Sequence, residues 1–314
     1  MSETPQIPES TQAPESTQAP ESTQAPAPRS GPFSGPLGPR RETAGRTLPV
    51  RVELVRQLRR RRTLVTLGLF ALLPVILWVA FSFGSDAPPG GGTSLTDLAQ
   101  TSGPNFTVFA LFSSASFLFV VVVALFFGDT VASEASWSSL RYLLAIPVPR
   151  VRLLRQKAVV AALLTLVALV VLPLVALALG TLVYGDGDYA SPTGESLPYG
   201  SAVVRIGLAV VYLALHLAWV AGTATLLSVV TDAPLGAVGG AVLVSILSQI
   251  LDTVDALGSV RNFLPTHYVF AWSDLFTLDV DGSEMARGVL SGVAWATVTG
   301  AVAVWWFRRK DITS

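Results

Sequence analysis

The two histidines are the side chains of this chain best suited to catalysis or metal binding. His216 stands alone inside a long apolar stretch that offers no acid to pair with it. Two interpretations stay open for it: a buried neutral imidazole bonded to a backbone carbonyl or a serine, or a contact on the path of a substrate. His267 lies among Tyr268, Trp272 and Asp274, which supply too few ligands for a metal ion. We expect a structural role for His267, no metal site and no cofactor.

The sequence also lacks the motifs of enzymes that act at a membrane. Neither G-x-S-G nor H-E-x-x-H occurs, so an intramembrane protease has no basis. The only lysines, Lys157 and Lys310, are followed by Ala and Asp, so no phosphate-binding G-x-x-x-x-G-K-[ST] loop is present. Cysteine is absent, which excludes disulfides and thiolate metal sites. We predict that the chain is not catalytic by itself.

Six apolar stretches organise most of the chain, in which 51% of the residues are hydrophobic and 13% are charged. Each stretch lacks Asp, Glu, Lys and Arg and is long enough to cross a hydrocarbon core of about 30 Å as a helix. A backbone in lipid must satisfy its own hydrogen bonds, which favours helices. A large soluble helical protein would not leave six such runs uncharged. We predict an all-α membrane protein with six transmembrane helices, at about 63–83, 106–127, 158–183, 206–231, 233–251 and 288–307.

The charged residues are divided between the two sides of the predicted membrane. Of the 21 Lys and Arg, ten precede the first span, five lie in 141–157 and three follow the last span. The segments on the other side, 84–105, 184–204 and 252–287, hold eleven acids. By the positive-inside rule, both termini and the 128–157 loop are cytoplasmic. The prediction is a multi-pass protein of the cell membrane, N-in and C-in.

The N-terminal segment differs from the rest of the chain in composition. Residues 9–26 are three copies of ESTQAP, a polar repeat with a proline in each unit. Such a repeat cannot bury a core. We predict a disordered tail over 1–47 and a six-span membrane domain over 48–314.

Basic and apolar residues follow helical spacing just before the first span. Val52, Val55 and Leu58 recur on one face, while arginines, including Arg59 and Arg60, take the other positions. A helix of this kind lies in the headgroup layer with its arginines on anionic lipid. The alternative is a charge cluster that only stops transfer. We favour the interfacial amphipathic helix.

The uncharged spans limit how this protein could perform work. Carriers driven by ions usually need carboxylates or histidine relays inside the membrane, and this chain offers one histidine there. It also has no phosphate loop of its own. If the protein moves anything uphill, the energy must arrive from another subunit through a cytoplasmic surface. Only the 128–157 loop is large enough to provide one.

The segment EASWSSLRYLLAIPVPRVRLLRQK, residues 134–157, is the part of that loop with a recognisable pattern. On a helix, Trp137 and Leu140 lie on one stripe, while Glu134 and Arg141 lie on another face. The helix ends before Pro147, because a residue before proline is displaced from the α region. A short helix anchored at both ends is an element that a partner subunit could push. The alternative is an inert interfacial helix.

Five residues of this segment also follow a family pattern: Glu134, Leu140, Pro147, Arg150 and Lys157. They resemble the E-x-x-x-G-T-L…P-[VI]-S-R…K stretch of ABC-2-type permeases, the membrane subunits of ABC exporters, which include drug-resistance exporters. Two serines stand where the family has Gly-Thr. The resemblance covers about 48–310, and LPTHYVFAW at 264–272 is similar to the last outer loop of many actinobacterial members.

The resemblance implies a coupling helix docked on a separate ABC ATP-binding subunit, and a translocation path between two permease copies, as a homodimer or heterodimer. By that resemblance the ATPase-docking residues are Glu134, Trp137, Ser138, Leu140, Arg141, Pro147 and Arg150. Membrane lipid is the other expected partner, and no nucleic-acid partner is predicted. The function predicted is the permease subunit of an ABC exporter. The alternatives are a non-transporting membrane scaffold and, less favoured by the uncharged spans, a secondary carrier.

Overall fold

The computed structural model describes residues 50–83, 94–136, 150–231 and 233–309, and only the backbone of 134–136 and 150. Within these ranges the α-helices are α1 (Val50–Leu58), α2 (Arg61–Phe83), α3 (Leu95–Ala99), α4 (Gly103–Ala115), α5 (Leu118–Ser136), α6 (Arg150–Tyr184), α7 (Tyr199–His216), α8 (Ala218–Val230), α9 (Pro234–Asp252) and α10 (Ser283–Arg309). A small antiparallel hairpin pairs β1 (Tyr189–Ala190) with β2 (Ser196–Leu197). Two 3-10 segments, Asp255–Phe263 and Ala271–Phe276, lie between α9 and α10.

Long apolar helices account for the predicted spans. Five of them in the described residues have the length and composition to cross a membrane: α2, α6, the α7–α8 pair, α9 and α10. The pair α4 and α5 makes a sixth if it crosses as one span. The prediction of an all-α membrane protein is confirmed. Several helices, such as α6 and α10, extend beyond the apolar runs, because polar residues at a span's ends can stay helical outside the hydrocarbon.

Local signals in the sequence set several helix starts. Ser94 caps α3, and its side chain and that of Asp97 each accept a hydrogen bond from the other's backbone N–H. Ser102 caps α4, which has a proline in its first turn. Pro234 occupies the first turn of α9, where its missing N–H costs no hydrogen bond.

The closest helix packing joins α10 to α7 and α8 through small residues. A Cβ added at Gly292 would overlap the backbone of His216, and one added at Gly288 would overlap the side chains of Tyr212 and Tyr268. Gly222 of α8 meets the backbone of α10 in the same way. The small residues of α10 therefore make a close helix contact over 288–296, whereas Gly300 faces open space.

The two ends of the bundle are built from different segments. We call the end with α1, the last turns of α5 and the first turns of α6 the basic end. There, Val131, Leu154, Val229 and Phe307 form a small buried cluster. We call the other end, with α3, the hairpin and the 3-10 segments, the acidic end. Its segments contact one another, since the backbone N–H of Leu278 donates to Glu195 of the hairpin region at 3.1 Å.

Candidate translocation site and coupling end

The second predicted span is not one continuous helix. α4 and α5 meet at a break of two residues and are bent by 56°. The hydroxyls of Ser113 and Ser114 donate to carbonyls four residues earlier, at 2.9 and 2.7 Å, a type of bond that bends helices. At the break, the carbonyl of Ser116 accepts a hydrogen bond of 2.9 Å from the side chain of Gln249 in α9. The local sequence FSSASF therefore places polar groups midway along this span.

A break inside an apolar helix pair leaves backbone groups that need other partners if the pair lies in lipid. Non-helical backbone within the hydrocarbon region is tolerated where protein or water satisfies its polar groups, and discontinuous helices form binding sites in many transporters. The aromatic side chains beside the break remain accessible, with Phe112 38% and Phe117 55% exposed. The arrangement is suited to a surface along which a solute passes.

A cavity of about 480 Å³ lies between this span and the acidic end. α3, α4, β1 and the second 3-10 segment supply its walls. Its apolar lining includes Leu95, Leu98, Val108, Phe109, Phe112, Tyr189 and Phe276, and its polar lining includes Asn105, Ser113, Ser191 and Asp274. Phe112 closes one side by packing on Trp272, with ring centroids 4.5 Å apart. The volume is within the range of small-molecule sites.

Two polar residues of the cavity, Asn105 and Asp274, differ in whether their side chains are hydrogen-bonded. Asn105 is fully used, because its amide donates to the carbonyl of Ala190 at 2.7 Å and accepts from the same residue's N–H at 2.9 Å. These bonds fasten the hairpin to α4. Asp274, which is half-buried, has no hydrogen bond or ion pair to its carboxylate within the described residues. Burial, followed by the charges of Glu284 and Asp281, raises the pKa of Asp274 above its ordinary value.

The nearby arginine does not neutralise this carboxylate. Nη1 of Arg205 in α7 donates to the backbone carbonyls of Leu275 and Thr277, at 2.5 and 2.6 Å. These two bonds fix the end of the second 3-10 segment, which carries Asp274.

At the basic end, α5 is attached to two other helices just before the predicted docking segment. The guanidinium of Arg62 in α2 donates to the buried carboxylate of Asp129 in α5 at 2.7 Å. Ser228 Oγ of α8 accepts hydrogen bonds from the backbone N–H groups of Val131 and Ala132, each at 3.0 Å. The last described turns of α5 are therefore held by α2 and α8.

The predicted interfacial helix exists as α1 and packs against α6. Its Glu53 is buried and accepts hydrogen bonds from Arg56 at 2.9 Å and Gln57 at 3.1 Å. Burial opposes ionisation, but these bonds and the arginine charge hold the pKa of Glu53 below its ordinary value. Val52 and Val55 are exposed, Leu58 is half-buried, and Arg59 and Arg60 are exposed. A role at the lipid surface stays a prediction.

Most of the predicted docking residues lie outside the described residues. This applies to Trp137, Ser138, Leu140, Arg141 and Pro147, while Glu134 and Arg150 are described by their backbone alone. Glu134 belongs to the last turn of α5, and Arg150 begins α6. The docking role therefore stays a prediction. The two ends of the docking segment, Glu134 and Arg150, belong to α5 and α6.

Both histidines have hydrogen bonds to other parts of the chain. His216 is completely buried, its Nδ1 donates to the carbonyl of Gly288 at 3.1 Å, and its ring stacks on Tyr212. This geometry matches the first interpretation, and His216 is not among the residues that line the cavity. A substrate contact at His216 stays untested. His267 Nδ1 lies 2.6 Å from the carboxylate of Asp252, and this bond ties the 264–268 turn to the end of α9.

Sequence reasoning did not indicate the break, the cavity or the Arg62–Asp129 pair. The signal for the break was the cluster of serines at 113, 114 and 116 inside an apolar run. Asp129 lies two residues beyond the predicted span 106–127, and Arg62 was one of several arginines assigned to the lipid surface. No spacing rule connects these two residues.

Comparison with known families now assigns the chain to a class. The family described as ABC-2 family transporter protein matches residues 50–231, from the start of α1 to the end of α8. The chain belongs to this family. It is a multi-pass membrane permease of the ABC-transporter class, as the resemblance at residues 134–157 predicted. Among curated proteins, none matches the chain.

Proposed function

We propose that the chain is the permease subunit of an ABC exporter, with its translocation surface at the break between α4 and α5. A separate ATP-binding subunit docks on the 134–150 segment and supplies the energy. The observation that carries this proposal is the continuity of α5 from the break to the start of that segment. Because α5 is continuous, a displacement of the docking segment would also move the translocation surface at the break.

The geometry of α5 supports such transmission. Its 19 residues span about 28 Å, close to the thickness of the hydrocarbon core. Its basic end is tied to α2 through Asp129 and to α8 through the N–H groups of Val131 and Ala132. A force on the docking segment would therefore move three helices together and change the bend at Ser116.

Two of the proposed partners, the second permease copy and anionic lipid, would contact exposed residues of the described chain. The accessible rings of Phe112 and Phe117 beside the break are available to a second permease copy, which would enclose the path. The exposed valines and arginines of α1 are available to anionic lipid. The basic end is cytoplasmic, because the basic residues are concentrated there, and cargo leaves toward the acidic end.

Site-specific crosslinking tests the docking of the ATPase. The chain contains no cysteine, so Ser138→Cys introduces its only thiol. A thiol-directed crosslinker in membranes with the co-expressed ATP-binding subunit should link the two proteins. The matched control is Ser196→Cys, an exposed hairpin position at the acidic end, which should capture none of the ATPase.

Two results would contradict the proposal. The first is no ATPase captured from position 138 in a well-expressed variant. The second is equal capture from positions 138 and 196. Capture of a different, non-ATPase protein at position 138 would favour the scaffold interpretation.

A further inference from the structure

The cavity at the acidic end combines a mostly apolar interior with one carboxylate that has no partner among the described residues. Aromatic and aliphatic side chains from α3, α4 and the second 3-10 segment form most of its walls. Asp274 contributes its charge to this wall, and no ion pair or hydrogen bond within the described residues occupies it. Arg205 of α7 donates instead to the backbone carbonyls of Leu275 and Thr277, on either side of Phe276.

An unpaired carboxylate in partly apolar surroundings is costly unless a cation offsets it. The neighbouring charges do not supply one, since Glu284 and Asp281 add negative potential at Asp274. The other polar lining is neutral: Asn105 is bonded to Ala190, and the hydroxyls of Ser113 and Thr277 donate to carbonyls of the chain. A ligand therefore meets one negative group, a few neutral polar groups and a mostly apolar and aromatic surface. Aromatic faces also favour cations.

We propose that this cavity binds an amphiphilic organic cation, with Asp274 as the counter-charge and Phe109, Phe112 and Phe276 around the apolar part. A neutral lipophile would fill the same walls but would leave Asp274 unpaired. An anion would be repelled by Asp274, Asp281 and Glu284. The cavity adjoins the break through Phe112 and Ser113, which line it and precede Ser116 by four and three residues, about one turn. Under the proposed function, this position places the cavity on the outward side of the translocation path. The binding of the cation does not depend on the proposed function.

Direct binding to the purified full chain tests the inference without the ATPase. The probe is ethidium, a permanent monocation whose fluorescence increases on leaving water, added to the chain in lipid nanodiscs. A neutral fluorescent lipophile, diphenylhexatriene, serves as the second probe. Asp274→Asn keeps the size of the side chain and removes its charge. It should weaken ethidium binding about tenfold and change binding of the neutral probe less than twofold.

Two further variants separate the site from general effects of charge and lipid. Asp279→Asn removes a nearby exposed acid outside the cavity and should leave both affinities within about twofold. Ser113→Trp fills the cavity from an accessible position and should weaken saturable ethidium binding about tenfold. Thermal unfolding of each variant confirms that the fold is retained.

Each result decides the question. Equal ethidium affinity in wild type and Asp274→Asn overturns the proposal, as does an equal loss in Asp279→Asn or binding that Ser113→Trp does not reduce. If ethidium binding depends on Asp274 but position 138 captures no ATPase, the cavity stands and the ABC-exporter proposal fails. If position 138 captures the ATPase but ethidium does not bind, the export proposal stands and this inference fails.

Discussion

The basic and acidic ends of the bundle treat charge in opposite ways. At the basic end, the buried carboxylates of Asp129 and Glu53 are each bonded to an arginine, Arg62 and Arg56. At the acidic end, Asp274 faces a cavity without a partner among the described residues. Paired charges and shared backbone bonds fix α5 in place, whereas an unpaired charge beside a void leaves room for a ligand. Under the proposed function, the fixed end would transmit force from the ATPase and the end with the cavity would bind cargo.

The largest expected effect comes from breaking the pair at the basic end. Arg62→Ala leaves Asp129 buried without its partner. Loss of one partner of a buried pair costs about 3–5 kcal/mol, and because Arg62 is itself half-exposed we expect about 2 kcal/mol of unfolding free energy. The measurement is denaturant unfolding in a fixed detergent.

The control for this variant is Arg59→Ala, an exposed arginine in the same basic stretch, which should change stability by less than about 0.5 kcal/mol. Equal stability of Arg62→Ala and wild type would show that the pair does not hold α5. A double variant, Arg62→Met with Asp129→Leu, should recover most of the loss, since no buried charge then remains unpaired.

A smaller loss is expected from removing the second attachment of α5. Ser228→Ala leaves the N–H groups of Val131 and Ala132 without their shared acceptor, and an unsatisfied buried donor costs about 1–3 kcal/mol. Hydrogen exchange at residues 129–133 should increase, together with a loss of about 1 kcal/mol in unfolding free energy. Ser82→Ala, an exposed serine bonded to its own helix, is the control and should change neither quantity. Unchanged exchange in Ser228→Ala would limit the anchoring to Arg62.

The smallest effect is expected at the acidic end, and its sign should be reversed. An acid whose pKa is raised by folding opposes the folded state when ionised, and this penalty is present above the raised pKa and disappears as the pH falls through it. Asp274→Asn should therefore be as stable as wild type at pH 7, or more stable by up to about 0.5 kcal/mol. The difference should vanish near pH 3.8, the ordinary pKa of an aspartate. A clear destabilisation at pH 7 would mean that Asp274 has a structural partner.

The features that the sequence predicted are those that depend on one segment at a time. Charge-free length identified the spans, and the helical spacing of Val52, Val55 and Leu58 identified the helix before the first span. In each case a local property of the chain determines the local structure, so no knowledge of the neighbours is needed.

The features that the sequence did not predict depend on distant segments. Arg62 and Asp129 are 67 residues apart, and nothing distinguishes Arg62 from the neighbouring arginines until α2 and α5 are placed together. The cavity is lined from residues 95–113, 189–192 and 273–277, and it exists only because the hairpin and the second 3-10 segment close over α4. In the sequence, nothing distinguishes Asp274 from the other acids of the predicted outer segment 252–287.

The hydrogen bond between His216 and Gly288 has a consequence for biosynthesis. α7 and α8 are made before α10, so the imidazole enters the bilayer 72 residues ahead of the carbonyl that it binds. Until α10 docks, a polar group is left in the membrane along the groove that Gly288 and Gly292 later fill. Docking of α10 therefore supplies this acceptor late in synthesis, and a chain that stopped before residue 283 would leave the imidazole without it.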